Sequence, residues 1–430
     1  MTASMAANVI GDIALVVLVA SLLGALARRC GQPAVIGQIL TGVLLGPSVL
    51  GRLPGNLTSH LFPHPVLAPL TALADVAVIV FMFTVGYETE FGALRGPGGR
   101  AVPSVAASAL AVPMGLGIGL VMLYRSGFAA VGESHDGHSF VLFMGVAMSI
   151  TAMPVLAAII RDRGLAGTTA GVVAAAAAAL MDVLAWLLLA AALIGTDHAS
   201  RLPWAVTLVL IICFAAAMLT VVRPALAWWT SRSQSVLSNP VPVAFVLALG
   251  SAWITTALGL QPIFGAFLAG LAMRGRGKGP DENVLRAMDQ VGTLLLPLFF
   301  IVTGLSLNIG AMTGDALILF AAIVVIAAGG KLVPAYAVSR LTGLDPRTAV
   351  TVAVLVNTRG LTELIALNTG LQDGLINQRL FTILVLMALL TTLMTGVLLP
   401  LIRPVRDVRS GPAADDHVIQ KSSENPEIVP

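Results

Sequence analysis

Apolar runs of membrane-spanning length recur along the whole chain and are separated by short polar loops. A transmembrane helix needs about 20 predominantly apolar residues, and most of these runs approach that length. Their pattern predicts an all-α polytopic membrane protein with about 13 transmembrane helices. The predicted segments are 8–27, 34–50, 66–88, 101–123, 140–160, 165–195, 204–222, 241–258, 261–274, 291–308, 314–338, 348–369 and 380–402.

Positive charge is distributed unevenly over the loops between these segments. One set of alternate loops, together with the C-terminal tail, holds 18 of the 24 Lys and Arg residues, whereas the opposite set holds four. Cytoplasmic loops carry such an excess, so we expect an external N-terminus and a cytoplasmic C-terminus. That orientation requires an odd number of spans. It favours thirteen over the twelve that would result from misreading 241–258 and 261–274.

Composition narrows the class of protein further. Hydrophobic residues make up 57% of the chain, charged residues 10%, and the mean hydropathy is +0.94. Soluble domains carry about 25% charged residues, so a water-soluble fold is excluded. A membrane β-barrel is disfavoured because its strands would alternate in segments of about ten residues. The net charge of +3 comes from the loops and no nucleic-acid motif accompanies it, so no nucleic-acid partner is expected.

The polar residues that follow the last apolar segment differ from the rest of the chain. They are rich in Pro, Ser, Asp and Glu and too few to form a core. We therefore expect residues 1–402 to form one transmembrane domain and residues 403–430 to be a disordered cytoplasmic tail.

Asp182 is the first candidate for function. It is the sole charged residue between Arg163 and Asp197, and it lies near the middle of a segment long enough to cross a bilayer. An ionisable group at that depth is costly and usually marks an ion or proton pathway. A structural carboxylate paired with a buried base is the alternative.

The fifth segment contains a helix breaker. Pro154 removes a backbone donor and clashes with the preceding turn, while Ser149 and Thr151 offer hydroxyls to the freed carbonyls. Either a simple kink or a discontinuous helix fits this pattern. Discontinuous helices expose carbonyls and helix ends that coordinate cations in transporters.

The twelfth segment is too polar for a helix that faces lipid. Its polar and charged residues are Asn357, Thr358, Arg359, Thr362, Glu363 and Asn368. Gly360 would permit unwinding, and the i,i+4 spacing of Arg359 and Glu363 predicts a pair on one helix face. A cytoplasmic loop followed by a shorter helix is the alternative.

Three further ionisable residues fall within apolar segments. Lys331 follows a long apolar run, where it either finds a buried anion or extends its side chain towards the cytoplasm. Asp75 and Glu88 lie on the third segment. They are candidates for an ion pathway, with Glu88 near the cytoplasmic end and Asp75 deeper.

Five stretches, in order, resemble signatures of the cation:proton antiporter superfamily. They are Gln32–Ser48, Phe81–Glu88, Ser149–Val155, Pro297–Leu305 and Asn357–Leu364. The resemblance runs from about residue 10 to residue 400 and is greatest to the branch of glutathione-gated potassium efflux systems and plant cation/proton exchangers. It implies two inverted repeats with crossed broken helices, a sodium/proton antiporter-like fold. It also implies a homodimer in the plasma membrane.

The resemblance assigns roles to individual residues. Asp182 matches the family's ion- and proton-binding aspartate, and Lys331 falls where some members place a lysine that pairs with an acid. The candidate ion and proton ligands are Asp182, Thr151, Ser149, Asn357 and Thr358, and their charge partners are Lys331, Arg359 and Glu363. The bound metal would be a monovalent cation at Asp182.

Met181 is a departure from that pattern. Family members have an acid, Asn or Gln before the aspartate, and methionine neither ionises nor binds an alkali cation strongly. One carboxylate predicts an exchange of one proton for one cation, whereas two adjacent carboxylates could exchange two protons. Glu363 or Asp75 would be the source of a second acid from another segment.

These residues predict a secondary active transporter that exchanges sodium or potassium for protons by alternating access. Two other classes stay open. One is a cation sensor or membrane-embedded enzyme on the same fold. The other is a transporter of an organic solute or anion, which aromatic residues near Asp182 would favour, and Trp186 is one such residue. We expect that the protein is not an enzyme and binds no cofactor, because no nucleophile–base pair, phosphate loop or metal-ligand spacing is recognisable in its sequence.

The loop charges generate a prediction about topology. A reporter that works only in the cytoplasm should be active when fused after Arg409. A reporter that works only outside the cytoplasm should be active when fused after Gly137. The activity of both reporter types would be measured at both positions. The reverse pattern would contradict the assigned orientation, and the same sidedness at both positions would contradict the odd span count.

Overall fold

The computed structural model describes residues 3–52, 54, 57–88, 100–133, 137–193, 204–232, 239–258, 261–274, 280–312 and 314–402. This part of the chain is all helical. Its helices are α1 Ala3–Arg29, α2 Ala34–Leu45, α3 Leu57–Leu61, α4 His64–Glu88, α5 Ala101–Leu123, α6 Arg125–Ala130, α7 His138–Ser149, α8 Met153–Asp162, α9 Thr169–Leu193, α10 Trp204–Ala217, α11 Arg223–Arg232, α12 Pro240–Ala257, α13 Pro262–Met273, α14 Glu282–Leu305, α15 Gly314–Leu341, α16 Pro346–Val356, α17 Leu361–Gln372 and α18 Gln378–Leu401. The predicted tail, 403–430, lies outside the described residues.

All thirteen predicted segments correspond to apolar helices or broken-helix pairs. Eleven of them are long and apolar enough to cross a membrane, and the seventh and ninth correspond to the shorter helices Ile212–Leu226 and Pro262–Met273. The tenth segment begins earlier than predicted. Asp281 caps α14 by accepting a hydrogen bond from the Asn283 amide at 2.8 Å, and the first turns of this helix carry charged residues that hide it from an apolar pattern.

The membrane helices pack as two bodies. In the first, which we call the panel, α4 packs against α13 and α14, and α1, α2 and α12 complete the group. In the second, the core body, α5 and α15 pack against each other and against the broken helices α7–α8 and α16–α17, with α9 and α18 beside them. Helices α10 and α11 lie in the chain between α9 of the core body and α12 of the panel.

Each body contains two equivalent halves. In the panel, α1–α2–α4 corresponds to α12–α13–α14, because α2 packs on α14 as α13 packs on α4. In the core body, α5, α7–α8 and α9 correspond to α15, α16–α17 and α18. One crossing, α10–α11, separates the two sets of six, so the second set enters the membrane from the opposite side. The predicted inverted repeats with crossed broken helices are therefore confirmed.

Glycines let the panel helices touch through their backbones. A Cβ on Gly42 of α2 would lie 2.1 Å from the Phe300 carbonyl oxygen, and one on Gly304 of α14 would lie 2.2 Å from the Gly42 carbonyl carbon. The equivalent crossing of α4 and α13 uses Gly86 and Gly270 in the same way. Small residues at such helix crossings are typical of membrane bundles.

Buried apolar side chains form two clusters, which divide at the level of Asp182. We call the inner side the one on which α8 ends and α9 begins, and the outer side the one on which α9 ends. The inner cluster contains buried residues of the core body, including Leu156, Ala177 and Val352. The main cluster joins the panel to the outer half of the core body. Helix α9 contributes to the inner cluster up to Met181 and to the main cluster from Ala185.

The glycine crossings generate a stability prediction. Gly304→Ala should destabilise the protein by about 1–3 kcal/mol, because backbone atoms cannot move aside for the new methyl group. Thermal unfolding of the purified protein in detergent would measure the loss. Gly329→Ala on α15 is the matched control, since nothing lies within 4 Å of its Cβ position. Equal unfolding temperatures for the two variants would contradict the packing role of Gly304.

Candidate ion-binding site

The two broken helices meet at their interruptions. Helix α7 ends at Ser149 and α8 begins at Met153, while α16 ends at Val356 and α17 begins at Leu361. Pairing between the interruptions satisfies part of the freed backbone. The Ala152 amide donates to the Thr358 carbonyl at 3.1 Å, the Thr151 hydroxyl donates to the Val356 carbonyl at 3.1 Å, and the Thr362 hydroxyl donates to the Thr151 carbonyl at 3.4 Å.

Local sequence explains each interruption. Pro154 lies in the first turn of α8, where its missing amide removes no helical hydrogen bond, and Ala152 before it is extended. Gly360 has φ 157° and ψ −131°, a conformation that side chains with a Cβ rarely adopt. A Cβ there would also lie 2.8 Å from Cγ2 of Val155. The fifth segment is a discontinuous helix rather than a kink, and the polar part of the twelfth is a buried break rather than a surface loop.

The start of α16 is fixed outside the membrane-spanning part. The Asp345 carboxylate accepts hydrogen bonds from the Arg347 and Thr348 amides at 3.0 and 3.1 Å. The hydroxyl of Thr348 also donates to it, and these bonds hold the pKa of Asp345 below its usual range. This cap positions the half-helix that leads to Asn357.

Asp182 lies beside the first break, at the boundary between the two apolar clusters. It is 2% exposed, and neither of its carboxylate oxygens has a hydrogen-bond partner among the described residues. The backbone amide of Met153, at the start of α8, and the ammonium group of Lys331 interact favourably with its charge. A buried, charged oxygen without a partner is the costliest kind of polar group, so Asp182 is a free acceptor for a proton or a cation.

Acceptor oxygens of the second break are also without partners. The side-chain carbonyl oxygen of Asn357 and the hydroxyl of Thr358 are fully buried and have no hydrogen-bond partner in the part of the chain that the structure describes. Asn357 is held by its amide group, which donates to the Thr391 carbonyl at 3.4 Å. Ser149 is different, because its hydroxyl donates within its own helix, to Val146 at 2.8 Å.

Lys331 is fully buried and does not extend towards the cytoplasm. Its ammonium group donates to the Ile150 carbonyl and to the Thr151 hydroxyl, both at 2.5 Å. These oxygens belong to the first break. Met181 lies beside them, with its sulfur 3.9 Å from the Thr151 hydroxyl. A basic side chain therefore occupies oxygens of the break, and no acid stands at the position before Asp182.

The predicted pair of Arg359 and Glu363 is confirmed, with 2.8 Å between Nη1 and Oε1 and both side chains fully buried. The same guanidinium donates to the Ala147 carbonyl at 2.9 Å and to the Met148 carbonyl at 2.5 Å. Arg359 thus links the second break to the last turn of α7. Removing one partner of such a pair costs about 3–5 kcal/mol, because the other is left buried and charged.

Threonines of α18 belong to this site although sequence reasoning did not identify them. The Thr392 hydroxyl accepts from the Arg359 amide at 3.1 Å and donates to the Arg359 carbonyl at 2.7 Å. The Thr395 hydroxyl lies 3.2 Å from the Val354 carbonyl. Their spacing, with Thr391, places three hydroxyls on one face of an apolar helix, which is the signal that could have revealed them.

Asp75 and Glu88 lie on α4 in the panel, and neither is among the groups that act electrostatically on Asp182. Asp75 is exposed and Glu88 is half-buried. Glu88 interacts with charges at the inner ends of other helices, namely Asp289, Arg161 and Arg274. The structure therefore brings together Asp182, Lys331 and the two breaks, but not the two acids of the third segment.

Comparisons with known proteins agree with this architecture. The family model described as "Sodium/hydrogen exchanger, transmembrane" matches residues 15–403. Cation/H(+) antiporter 20 of Arabidopsis thaliana is 35% identical, over 89% of this chain and 47% of that protein. K(+)/H(+) antiporter 1 of Saccharomyces cerevisiae is 32% identical, over 94% of this chain and 48% of that protein. The chain spans about half the length of these curated relatives.

A relative of similar length and a solved structure extend the comparison. Na(+)/H(+) antiporter NhaS4 of Synechocystis is 34% identical, over 92% of this chain and 97% of that protein. The sodium proton antiporter MjNhaP1 of Methanocaldococcus jannaschii shares the fold, with a TM-score of 0.65 at 12% identity over 92% of this chain and 96% of that one. The resemblance drawn from the five sequence stretches is thus confirmed, and this multi-pass membrane protein belongs to the sodium/hydrogen exchanger family.

Proposed function

We propose that this protein exchanges a monovalent cation, sodium or potassium, for protons across the membrane. The observation that carries the proposal is Asp182, a buried carboxylate whose two oxygens have no hydrogen-bond partner among the described residues. Almost all buried polar atoms in proteins are paired. An unpaired carboxylate beside two broken helices is poised to bind a ligand that comes and goes.

Competition between two ligands follows from the electrostatics of this site. An ionised carboxylate is costly to bury, and either a proton or a cation removes most of that cost. Both cannot occupy one carboxylate well, so binding of one favours release of the other. The unpaired oxygens of Asn357 and Thr358 lie in the second break and are suited to a cation stripped of its water.

Lys331 controls what else the first break can bind. Its ammonium group already holds the oxygens of Ile150 and Thr151, which a cation would otherwise use. We propose that Lys331 acts as a tethered positive charge that stays in place while Asp182 exchanges its ligand. With their ordinary charges, Asp182, Lys331, Arg359 and Glu363 sum to zero. A proton or a cation at Asp182 adds one charge in either case.

Movement between the two bodies provides access from both sides. The ligand groups lie in the core body, and the panel is a separate unit whose helices are in direct backbone contact. A rigid displacement of the core body against the panel would carry Asp182 from one side to the other, which is alternating access. We further propose a plasma-membrane homodimer with an external N-terminus and a cytoplasmic C-terminus. The loop charges and the family resemblance support that arrangement.

The relatives support transport rather than the sensor or enzyme alternative. The names of the Arabidopsis, yeast and Synechocystis proteins describe cation/H(+), K(+)/H(+) and Na(+)/H(+) antiporters. No comparison points to a sensor or an enzyme. Both cations occur among these names, so sodium and potassium are both substrates to be tested.

Asp182→Asn should abolish cation-driven proton movement in proteoliposomes, because the amide cannot exchange a proton for a cation. A pH-sensitive dye, with sodium and potassium tested separately, would measure the exchange. Asp315→Asn is the matched control, since Asp315 is an exposed aspartate at the start of α15. Exchange by the Asp182 variant at the rate of the Asp315 variant would contradict the mechanism. If neither sodium nor potassium drives proton movement in the unmodified protein, the proposed function is contradicted.

Exchange through one carboxylate should move no net charge. With Met181 beside Asp182, one proton is traded for one monovalent cation, so the rate should not respond to a membrane potential imposed by an ionophore. Met181→Asp adds a second acid near Lys331 and should make the rate sensitive to potential. Met181→Leu, which adds no charge, is the control. A steep response of the unmodified protein would show that another acid, such as Glu363, takes part.

A further inference from the structure

The two bodies meet through aromatic rings on the outer side of Asp182. Trp186 on α9, one turn beyond Asp182, packs against Phe264 in the first turn of α13. The ring centroids are 6.2 Å apart and the planes are nearly perpendicular, at 88°. This edge-to-face geometry is the one that aromatic pairs prefer. One ring belongs to the core body and the other to the panel.

The surrounding packing is different on the two sides of Asp182. On the outer side, α9 residues such as Leu189 and Leu193 lie in the same apolar cluster as panel residues. On the inner side, the buried apolar residues around α9 come from the core body itself. The panel adds the partly buried Val35 of α2 to that cluster, and Glu88 of the panel interacts with Arg161 of α8. Asp182 is thus closed off by apolar contacts between the bodies towards the outer side.

Trp186 also carries a polar group that this packing leaves unused. The side chain is 5% exposed, and its indole nitrogen has no hydrogen-bond partner among the described residues. Buried tryptophans usually pair this donor, so the closed arrangement carries a cost that water at an open seal would remove. The two rings are in contact, yet the indole nitrogen forms no hydrogen bond to a described residue of either body. That combination suits a contact that forms and separates repeatedly.

We propose that Trp186 and Phe264 form the outer seal of the ion site, and that their separation admits ions from the outer side. This proposal rests on the proposed exchange function, because a seal has a purpose only if Asp182 is reached from both sides. Trp186 follows Asp182 by four residues and so lies on the same helix face. This accounts for an aromatic residue beside the carboxylate without an organic substrate. Trp186 is a gating residue and does not bind the cation.

Thiol labelling tests the seal without requiring transport. Both native cysteines are free and exposed, so Cys30→Ser and Cys213→Ser give a cysteine-free background. Ala185→Cys then places one thiol between Asp182 and the seal. A membrane-impermeant methanethiosulfonate reagent is applied from the outer side of oriented vesicles, and the labelling rate is measured.

With both rings present, outer labelling should be slow. Trp186→Ala and Phe264→Ala should each raise its rate at least about tenfold, the change that about 1.4 kcal/mol produces. The double variant should add little to either single variant, because each removes the same contact. Trp186→Phe keeps a ring and should stay slow. Phe264 is partly exposed, so its truncation tests the seal even if Trp186→Ala does not fold.

Two controls separate the seal from general loosening. Trp253→Ala removes a tryptophan that is 73% exposed on α12 and should leave labelling unchanged. A thiol at Ala178, in the inner cluster, should stay protected from the outer side in every variant. Fast labelling of position 185 with both rings intact, or unchanged labelling after Phe264→Ala, would overturn the proposal. The proposal would also be overturned if the thiol at position 185 were labelled as fast in Trp186→Phe as in Trp186→Ala. Labelling of the thiol at position 178 from the outer side would overturn it as well.

The outcomes also distinguish this proposal from the proposed function. Ring-dependent labelling together with an absence of cation-driven proton movement would leave the seal standing and refute exchange. Normal exchange, together with a labelling rate that does not change in the Trp186 and Phe264 variants, would refute the seal and leave the exchange function supported.

Discussion

The site depends on backbone hydrogen bonds between two interrupted helices. A break in a membrane helix leaves amides and carbonyls that lipid cannot satisfy, and each costs several kcal/mol if it stays unpaired. Here each break supplies partners to the other, through the bond from the Ala152 amide to the Thr358 carbonyl and from the Thr151 hydroxyl to Val356. Arg359 extends the same arrangement to the end of α7. The site oxygens that remain unpaired among the described residues are those of Asp182, the side-chain carbonyl of Asn357, the hydroxyl of Thr358 and one carboxylate oxygen of Glu363.

The buried charges at the site balance one another but differ in how they are bound. Two basic and two acidic side chains are buried together, and three of them are bound to protein groups: Lys331 to the first break, and Arg359 and Glu363 to each other. Asp182 alone has both oxygens available among the described residues. Met181 leaves the position before it neutral, so no second acid adjoins Asp182 in the sequence.

Much of this could be predicted from the sequence, because membrane helices have a strong local signal. Apolar length gave the spans, Pro154 and Gly360 indicated the breaks, and the i,i+4 spacing of Arg359 and Glu363 gave the ion pair. What could not be predicted depends on contacts between distant segments. The hydroxyl of Thr392 meets Arg359 only because α18 folds against the second break, and Trp186 meets Phe264 only because two bodies are in contact. The early start of α14 was missed because its charged first turns interrupt the apolar pattern.

Helix α13 is shorter than a bilayer is thick and is covered by protein. Its twelve residues span about 18 Å, well below the roughly 30 Å of a bilayer's hydrocarbon. Glycine contacts hold it against α4, so it cannot tilt or slide to meet the headgroups. Arg274 at its end donates to the Tyr87 and Glu88 carbonyls, which ties that end to α4 as well. Every residue of α13 is buried or half-buried, so neighbouring helices rather than acyl chains cover it, and its length need not match the thickness of the hydrocarbon.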